Sequence, residues 1–233
     1  MKRLSVLLAF APVTAFAAPP TVVTDILPVE GLVAAVMGDL AAPLAILPPN
    51  ASPHDYALRP SDARNLQDAA LIVHLGEGLS PGFSRAIANI GADAEALNLM
   101  TVEGTLHLEM REDFVFGLED TTHDHDHDHG HEAHDPHVWL SPDNGRLWTT
   151  AIADALAALD PDNAKTYRQN AETAIAAITT AESRIADALS ADPPAPAVVF
   201  HDAYQYFEVA FDIPAAGAIS VGDATDPGPA RIA

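Results

Sequence analysis

The stretch from Pro60 to Leu99 reads PSDARNLQDAALIVHLGEGLSPGFSRAIANIGADAEALNL. Two helical patterns, at residues 60–69 and 82–90, alternate in it with two short apolar runs, at residues 71–74 and 96–99. Such alternation is typical of βαβ units, in which parallel strands are connected by helices that cover the sheet. The stretch therefore predicts an α/β fold.

The alternation continues in both directions. Towards the N-terminus, strands are predicted near residues 21–24 and 43–47, with a helix near residues 29–38. Towards the C-terminus, a helix at 143–159 is followed by an Asp-Pro pair suited to begin another helix. Residues 162–189 then contain neither Gly nor Pro and repeat apolar residues at helical spacing. At 1.5 Å per residue that helix is roughly 40 Å long, enough to join two lobes.

A second β/α series follows the proline-rich segment 191–196, with a strand at 197–200, a helix at 203–210 and a strand at 213–220. Residues 227–233 resemble a loop that leads into another helix, and two strands with one helix cannot bury both faces of a sheet. We therefore expect two α/β lobes with parallel sheets, the second one incomplete because the sequence is a fragment or the gene product is truncated. The predicted divisions are 1–18 (signal peptide), 19–160 (first lobe), 161–190 (linking helix) and 191–233 (partial second lobe).

The N-terminus indicates export. Lys2 and Arg3 precede an apolar run at residues 4–16, and Ala15-Phe16-Ala17 has the small-x-small form that signal peptidase cleaves. The alternative, an uncleaved anchor, is disfavoured because the run is shorter than the roughly 20 residues of a spanning helix. There is no cysteine for acylation near the cleavage site. We expect a free, monomeric periplasmic protein that does not insert into the membrane after signal cleavage.

Composition limits both the fold and its partners. The chain has no cysteine, so an exported form rests on core burial or bound metal rather than on disulfides. The formal charge of −22 becomes −24 if Lys2 and Arg3 leave with the signal segment, which has no acidic residue. This charge repels nucleic acid and anionic lipid and attracts cations, although simple solubility explains it equally well.

Residues 123–137 read HDHDHDHGHEAHDPH and hold seven of the eleven histidines. Neutral imidazole binds Zn²⁺, Cu²⁺ and Ni²⁺, but a flexible tract cannot hold a metal in one geometry. We predict disorder over about residues 120–135, since an ordered loop of this length is uncommon. The tract is interpreted as an accessory metal-binding loop, the alternative being a solubilising acidic loop; its predicted ligands are His123, His125, His127, His129, His131 and His134.

Three other histidines follow one rule of position. His54 comes just after the second predicted strand, His201 lies at the end of the fifth, and His137 stands where the tract rejoins an apolar segment. Ligands of open α/β sheets bind outside the carboxyl ends of strands, so these side chains are candidates for one cleft. His74 and His107 are interpreted as structural.

The segments around these histidines read PHDYALRPSD (53–62), DPHVWLSP (135–142) and FHDAYQYF (200–207). Together they resemble the zinc-uptake solute-binding proteins of bacterial ABC transporters, in the family's order and over essentially the whole mature chain. The acidic histidine loop before the second segment belongs to the resemblance.

The resemblance implies a non-enzymatic carrier. In that family two lobes joined by a rigid helix hold one metal in the cleft, and the loaded protein delivers it to a membrane permease. Carried over to this chain, the metal ligands are His54, His137 and His201. Three imidazoles favour Zn²⁺, whereas Mn²⁺ prefers oxygen and the related manganese binders carry a carboxylate at the third position.

The fourth ligand is where the chain departs from the pattern. Some zinc members place Glu before the first histidine, and here that residue is Pro53. Water, or a residue beyond Ala233, would complete a tetrahedral site. Asp55, Asp135 and Asp202 flank the ligands and either orient them or cap helices, while Asp62 is expected to cap the next helix.

Two rival functions stay open on the sequence. A zinc hydrolase would also use three histidines and an open position, but it needs a carboxylate base beside the metal-bound water. The nearest motif, HEAH at 131–134, is one residue short of the metalloprotease spacing. A periplasmic zinc buffer would instead act mainly through the histidine tract, binding several ions weakly.

Overall fold

Apolar runs of the N-terminal half form a four-stranded parallel sheet in the computed structural model, which describes residues 18–91, 93–111, 115–116 and 134–220. Its order is β2-β1-β3-β4, and the two central strands, β1 and β3, are buried along their whole length. Burial on both faces explains why Val22-Val23 and Leu71-Ile72-Val73 place apolar residues at consecutive positions rather than at alternate ones. The strands are β1 (Val22–Thr24), β2 (Leu44–Ala45), β3 (Leu71–His74) and β4 (Glu95–Asn98).

Helices connect and cover these strands, as the alternating pattern predicts. Each has a proline in its first turn, where the missing N–H has no intrahelical acceptor to lose. The side chain of Ser141 additionally caps the fourth helix by accepting a hydrogen bond from Asn144 N. The helices are α1 (Leu27–Met37), α2 (Pro60–Gln67), α3 (Pro81–Ile90) and α4 (Pro142–Leu159).

A long helix, α5 (Ala164–Ala191), follows a 3-10 turn at Pro161–Asn163. It has 28 residues, close to the prediction of 162–189, and packs on α4 and α1. Its fully buried side chains, Tyr167 and Ala171, lie near the N-terminal end. Asp160 was expected to cap this helix; its carboxylate instead accepts hydrogen bonds from the side chains of Asn163 and Tyr167.

The second β/α series forms a two-stranded parallel sheet, β5 (Val198–His201) and β6 (Gly217–Ser220), with α6 (Gln205–Phe211) between the strands. The strand predicted at 213–220 is shorter in the structure because a left-handed residue, Asp212 (φ 54°), ends α6 and a turn precedes β6. We call β1–β4 with α1–α4 the first lobe, and β5, α6 and β6 the second lobe.

The core of the first lobe lies between the sheet and helices α1, α3 and α4. Its largest side chain, Trp148, is fully buried and donates from Nε1 to Thr105 Oγ1 over 3.0 Å. No helix among the described residues combines the length and the apolarity that crossing a bilayer requires. The predicted signal segment, the first five histidines of the tract and the loop predicted at 227–233 lie outside the described residues, apart from Ala18.

Candidate metal centre

Three local structures present the three predicted ligands. His54 lies in a turn between β2 and α2, His137 directly precedes a 3-10 helix (Val138–Leu140), and His201 is the last residue of β5. His137 is buried, with 4% of its surface exposed, and the other two are half-buried. Two of the imidazoles thus come from the first lobe and one from the second.

The three rings lie together. The His54 and His137 centroids are 5.5 Å apart, those of His54 and His201 5.6 Å, and those of His137 and His201 4.8 Å. One ring nitrogen from each histidine lies within 4.8 Å of the others. Two imidazoles sharing one tetrahedral Zn²⁺, with Zn–N near 2.0–2.1 Å, place their ring centroids about 5 Å apart. The arrangement therefore fits three imidazoles around a single ion.

A carboxylate fixes the orientation of the most buried ring. Asp135 Oδ1 accepts from His137 Nδ1 over 2.6 Å and from His137 N over 2.9 Å. With Nδ1 held by the carboxylate, Nε2 carries the lone pair that can bind a metal, and this buried atom has no hydrogen-bond partner among the described residues. Of the three aspartates that flank predicted ligands, Asp135 thus contacts its imidazole directly.

Asp135 lies at the end of the segment predicted to be disordered, about residues 120–135, of which residues 120–133 lie outside the described residues. Asp135 itself is 3% exposed. Its backbone N–H donates to Leu108 O, and its second oxygen accepts from Gln205 Nε2 at 3.1 Å in the amide orientation that satisfies both atoms of that side chain. The acidic composition of the tract concealed this, since an aspartate can be buried once its oxygens have donors.

Tyr206 links the two lobes behind the site. Its hydroxyl donates to Asp135 O over 3.0 Å and accepts from Leu108 N over 2.9 Å, and the residue is 1% exposed. Burial raises the pKa of Tyr206 to about 12, so the phenol keeps its proton near neutral pH. Helix α6 is therefore fastened to the segment that carries His137.

Arg111 makes a second polar link. Its guanidinium contacts Asp202 Oδ1 at 3.3 Å and Glu208 Oε2 at 2.7 Å, and lies 4.2 Å from the centre of the Phe116 ring. Burial raises the pKa of Asp202, and the Arg111 charge opposes that rise. The chain beyond Arg111 also reaches the second sheet, where Phe116 N donates to Ala216 O. Arg111 thus neutralises the carboxylate next to His201.

The turn that carries His54 is anchored on α2. Asp62 Oδ2 accepts from Arg59 N over 2.7 Å and from the Tyr56 hydroxyl over 2.9 Å. The first bond is the capping interaction predicted for Asp62, which is confirmed. The same carboxylate therefore begins the helix and fixes the residue two positions after His54.

Aromatic residues pack unevenly around the centre. The Trp139 ring lies 5.3 Å from the His137 ring. Tyr204 is 48% exposed, whereas Tyr206, at the same end of α6, is 1% exposed. Sequence reasoning missed Tyr206 and Arg111. The signal available for Tyr206 was its apolar neighbours in the sequence. The signal available for Arg111 was its position as the lone cation before the acidic tract.

The two histidines interpreted as structural behave differently. His74 is 8% exposed, accepts at Nδ1 from Gly76 N, and packs edge-on against Phe83. Burial lowers the pKa of His74 to about 4, so it is neutral at pH 7. His107 instead packs against His134, and burial, then the neighbouring imidazole, lower the pKa of His107.

A family model described as the periplasmic component A of the zinc-uptake complex matches residues 22–233. The chain belongs to this family. The high-affinity zinc uptake system protein ZnuA of Paracoccus denitrificans is 39% identical over 249 aligned positions, covering 98% of this chain and 75% of the relative. The protein of the same name from Brucella abortus is 34% identical over 235 positions, covering 91% and 70%.

Solved structures show the same architecture. A crystal structure of ZnuA aligns with a TM-score of 0.73 at 24% identity, over 91% of this chain and 76% of that one. This likeness confirms the predicted α/β architecture of two lobes and a long helix. The family's uptake role also agrees with the predictions of Zn²⁺ as the bound ion and of a non-enzymatic protein.

Proposed function

We propose that this protein captures one Zn²⁺ in the periplasm between its two lobes and delivers it to the membrane permease of an ABC importer. The ligands are His54, His137 and His201. The observation that supports the proposal is the convergence of their rings, with centroids 4.8–5.6 Å apart, from three separate segments and two lobes. Membership in a zinc-uptake family supports the same ion and the same location.

The composition of the centre argues for zinc over manganese. Within the described part of the chain the cluster consists of three imidazoles and no carboxylate. Imidazole suits Zn²⁺, whereas Mn²⁺ lies lowest in the divalent affinity order and prefers oxygen ligands. Three protein ligands leave a fourth tetrahedral position for water or for another residue. Zn²⁺ should therefore displace Mn²⁺ from this protein at equal concentrations.

The division of ligands between lobes gives capture and release a physical basis. His54 and His137 present two imidazoles on the first lobe, and His201 adds the third ligand from the second lobe. A bound ion adds a connection between the lobes and stabilises the fold by about 2.7 kcal/mol at a concentration 100 times Kd. Separation of the lobes removes one ligand and lowers affinity, which is the change that delivery to a permease requires.

A calorimetric Zn²⁺ titration tests the binding site. Three proteins are compared: the mature chain, a variant lacking residues 120–133, and the variant His54→Ala/His137→Ala/His201→Ala. We expect one tight site in the first two and none in the third, with weaker sites remaining wherever the tract is present. The deletion stops before His134 because that residue pairs with Glu109 in the fold. Loss of the tight site on deletion of the tract would contradict the assignment.

The same titration separates the carrier from a zinc buffer. The histidine tract favours the buffer, since six of its imidazoles lie within twelve residues (123–134). A buffer would bind several ions weakly, and the triple-alanine variant would retain most of its capacity. Delivery is tested by uptake of radioactive zinc into proteoliposomes that hold the cognate permease. Uptake should require the mature protein and fail with the triple-alanine variant.

A further inference from the structure

Helix α6 of the second lobe contacts Asp135, the residue that orients His137, at two points. Tyr206 donates from its hydroxyl to Asp135 O over 3.0 Å. One atom of the side-chain amide of Gln205, the first residue of α6, lies 3.1 Å from Asp135 Oδ2 and 3.1 Å from Glu109 O. An amide atom placed between two acceptors is the NH₂ group, because only that atom has hydrogens to donate. Two adjacent residues of the second lobe thus hold the backbone and the side chain of Asp135.

The two carboxylate oxygens of Asp135 contact different lobes. Oδ1 accepts from His137 N and His137 Nδ1, over 2.9 and 2.6 Å, in the first lobe. Oδ2 accepts from Gln205 in the second lobe. Because Asp135 is 3% exposed, bulk water has little access to replace a missing donor, and a buried carboxylate needs donors for its oxygens. The bond to Oδ2 therefore also fixes the rotation of the carboxylate, and with it the position of Oδ1 beside the His137 ring.

We propose that Gln205 is a positioning residue for metal binding. Its amide holds the Asp135 carboxylate, and that carboxylate holds the His137 ring with Nε2 available to the ion. The second lobe then contributes to the centre twice, directly through His201 and indirectly through a ligand of the first lobe. Separation of the lobes removes His201 and also withdraws Gln205 from Asp135, so two of the three ligands are weakened in one step. This consequence for release rests on the proposed function, whereas the chain of hydrogen bonds does not.

The size of the effect follows from the role of the His137 ring. Its buried Nε2 has no hydrogen-bond partner among the described residues, and it binds a metal only while Nδ1 carries the proton. Loss of a group that orients a ligating histidine typically lowers metal affinity by about 10–100-fold. Gln205 acts through Asp135 and does not touch the ring, so we expect the lower end of this range, about 10-fold.

A purely structural role is the competing explanation, since the same NH₂ group also donates to Glu109 O. In that case Gln205 would stabilise the fold without any connection to His137. A double-mutant cycle separates the two explanations, because coupling appears only between residues that act through one another. The cycle combines Gln205→Met, which keeps the length of the side chain and removes the donor, with Asp135→Ala, which removes the acceptor.

Zn²⁺ affinity of the mature chain is measured by calorimetry, with a chelator that outcompetes the weak sites of the tract. Gln205→Met should lower the affinity of the tight site about 10-fold in the wild-type background and less than about twofold in Asp135→Ala. Gln205→Glu, which turns a carboxylate towards Asp135 Oδ2, should lower it further. Gln169→Met, the same change at an exposed position of α5, is the matched control and should leave affinity unchanged. Equal losses from Gln205→Met in both backgrounds, or no loss in either, would overturn the proposal.

Nitrogen-15 spectra of the histidine-labelled, metal-free protein give a second readout that does not depend on Zn²⁺ binding. They are recorded at about pH 8, above the histidine reference pKa of about 6.5, and the His137 signals are identified by their loss in His137→Ala. The wild type and Gln169→Met should show the Nδ1–H form of His137, and Gln205→Met a larger share of the Nε2–H form. An unchanged His137 spectrum in Gln205→Met would refute the positioning role.

Failure of the proposed function gives a different result. If the wild-type chain lacked a tight Zn²⁺ site, the carrier function would be contradicted, while the spectra of the metal-free protein would still decide whether Gln205 orients His137. Thermal unfolding of each variant establishes that it is folded.

Discussion

The two lobes share parallel β/α architecture but differ in how their sheets are buried. In the first lobe, Val22, Val23 and Ile72 of the central strands are at most 3% exposed. In the second, Val198 and Phe200 of β5 are 64% and 59% exposed. The first lobe is thus organised by its own core, whereas the second is joined to it by polar contacts of Tyr206 and Arg111 and by the packing of Tyr206. The contrast matters because the first lobe supplies two proposed ligands and the second only one.

Removing one ligand from each lobe in turn tests the contribution of each lobe to Zn²⁺ affinity. We expect His201→Ala and His137→Ala each to weaken Zn²⁺ binding by more than the roughly 10–100-fold that follows loss of an orienting partner. Calorimetry with Tyr204→Phe, an exposed neighbour, provides the control. Unaltered affinity in His201→Ala would mean that the second lobe contributes no ligand.

The pH response should distinguish the lobes because the first lobe contains His74. Its pKa of about 4 lies below the unfolded value near 6.5, so the folded state binds fewer protons between those values. Stability is therefore lost as pH falls through this window, by about 3 kcal/mol at most. Burial raises the pKa of Asp25 to about 6, so its effect on stability as pH falls is opposite to that of His74. Asp25 is present in both proteins that are compared.

The comparison is between the wild type and His74→Phe, unfolded with urea at pH 7 and pH 4.5 with a chelator present. On acidification the variant should lose less stability than the wild type, by about 2–3 kcal/mol. Parallel pH profiles would show that His74 titrates normally in the folded protein.

Arg111→Met tests the polar link to the second lobe. Removing the guanidinium leaves Asp202 and Glu208, 6% exposed each, without their cation. Breaking a buried pair costs about 3–5 kcal/mol, and because Arg111 is 20% exposed we expect about 2 kcal/mol. Hydrogen exchange should rise in β5 and α6 but not in β1 or β3. An equal rise in hydrogen exchange in both lobes of the variant would contradict the conclusion that the first lobe has an independent core.

Asp135→Asn should have the smallest effect on the fold and a measurable one on the site. The amide oxygen can still accept from both His137 N–H groups, but the neutral amide no longer fixes the tautomer by charge, so Zn²⁺ affinity should fall by about 10–100-fold. Asp62→Asn is the matched control, because it weakens a helix cap by about 1 kcal/mol and leaves the imidazoles untouched. Equal Zn²⁺ affinities of the two variants would show that Asp135 does not orient His137 for metal binding.

Local signals in the sequence predicted most of the first lobe. Short apolar runs predicted β1 and β3, and helical apolar spacing predicted α5. The rule that ligands gather at the carboxyl ends of strands selected His54 and His201. Arg111 and Tyr206 escaped prediction because their partners lie 71 to 98 residues away along the chain, as with Arg111–Glu208 and Tyr206–Asp135. Asp135 was one of three aspartates expected either to orient a ligand or to cap a helix, and composition does not reveal which acidic residue finds donors.

The most direct test of the account is zinc K-edge X-ray absorption on the protein lacking residues 120–133, loaded with one equivalent of Zn²⁺. Three imidazoles with Zn–N near 2.0–2.1 Å are predicted, falling to two in His201→Ala. That outcome would establish one zinc held jointly by both lobes. A coordination shell dominated by carboxylate oxygen, or three imidazoles retained in His201→Ala, would contradict it.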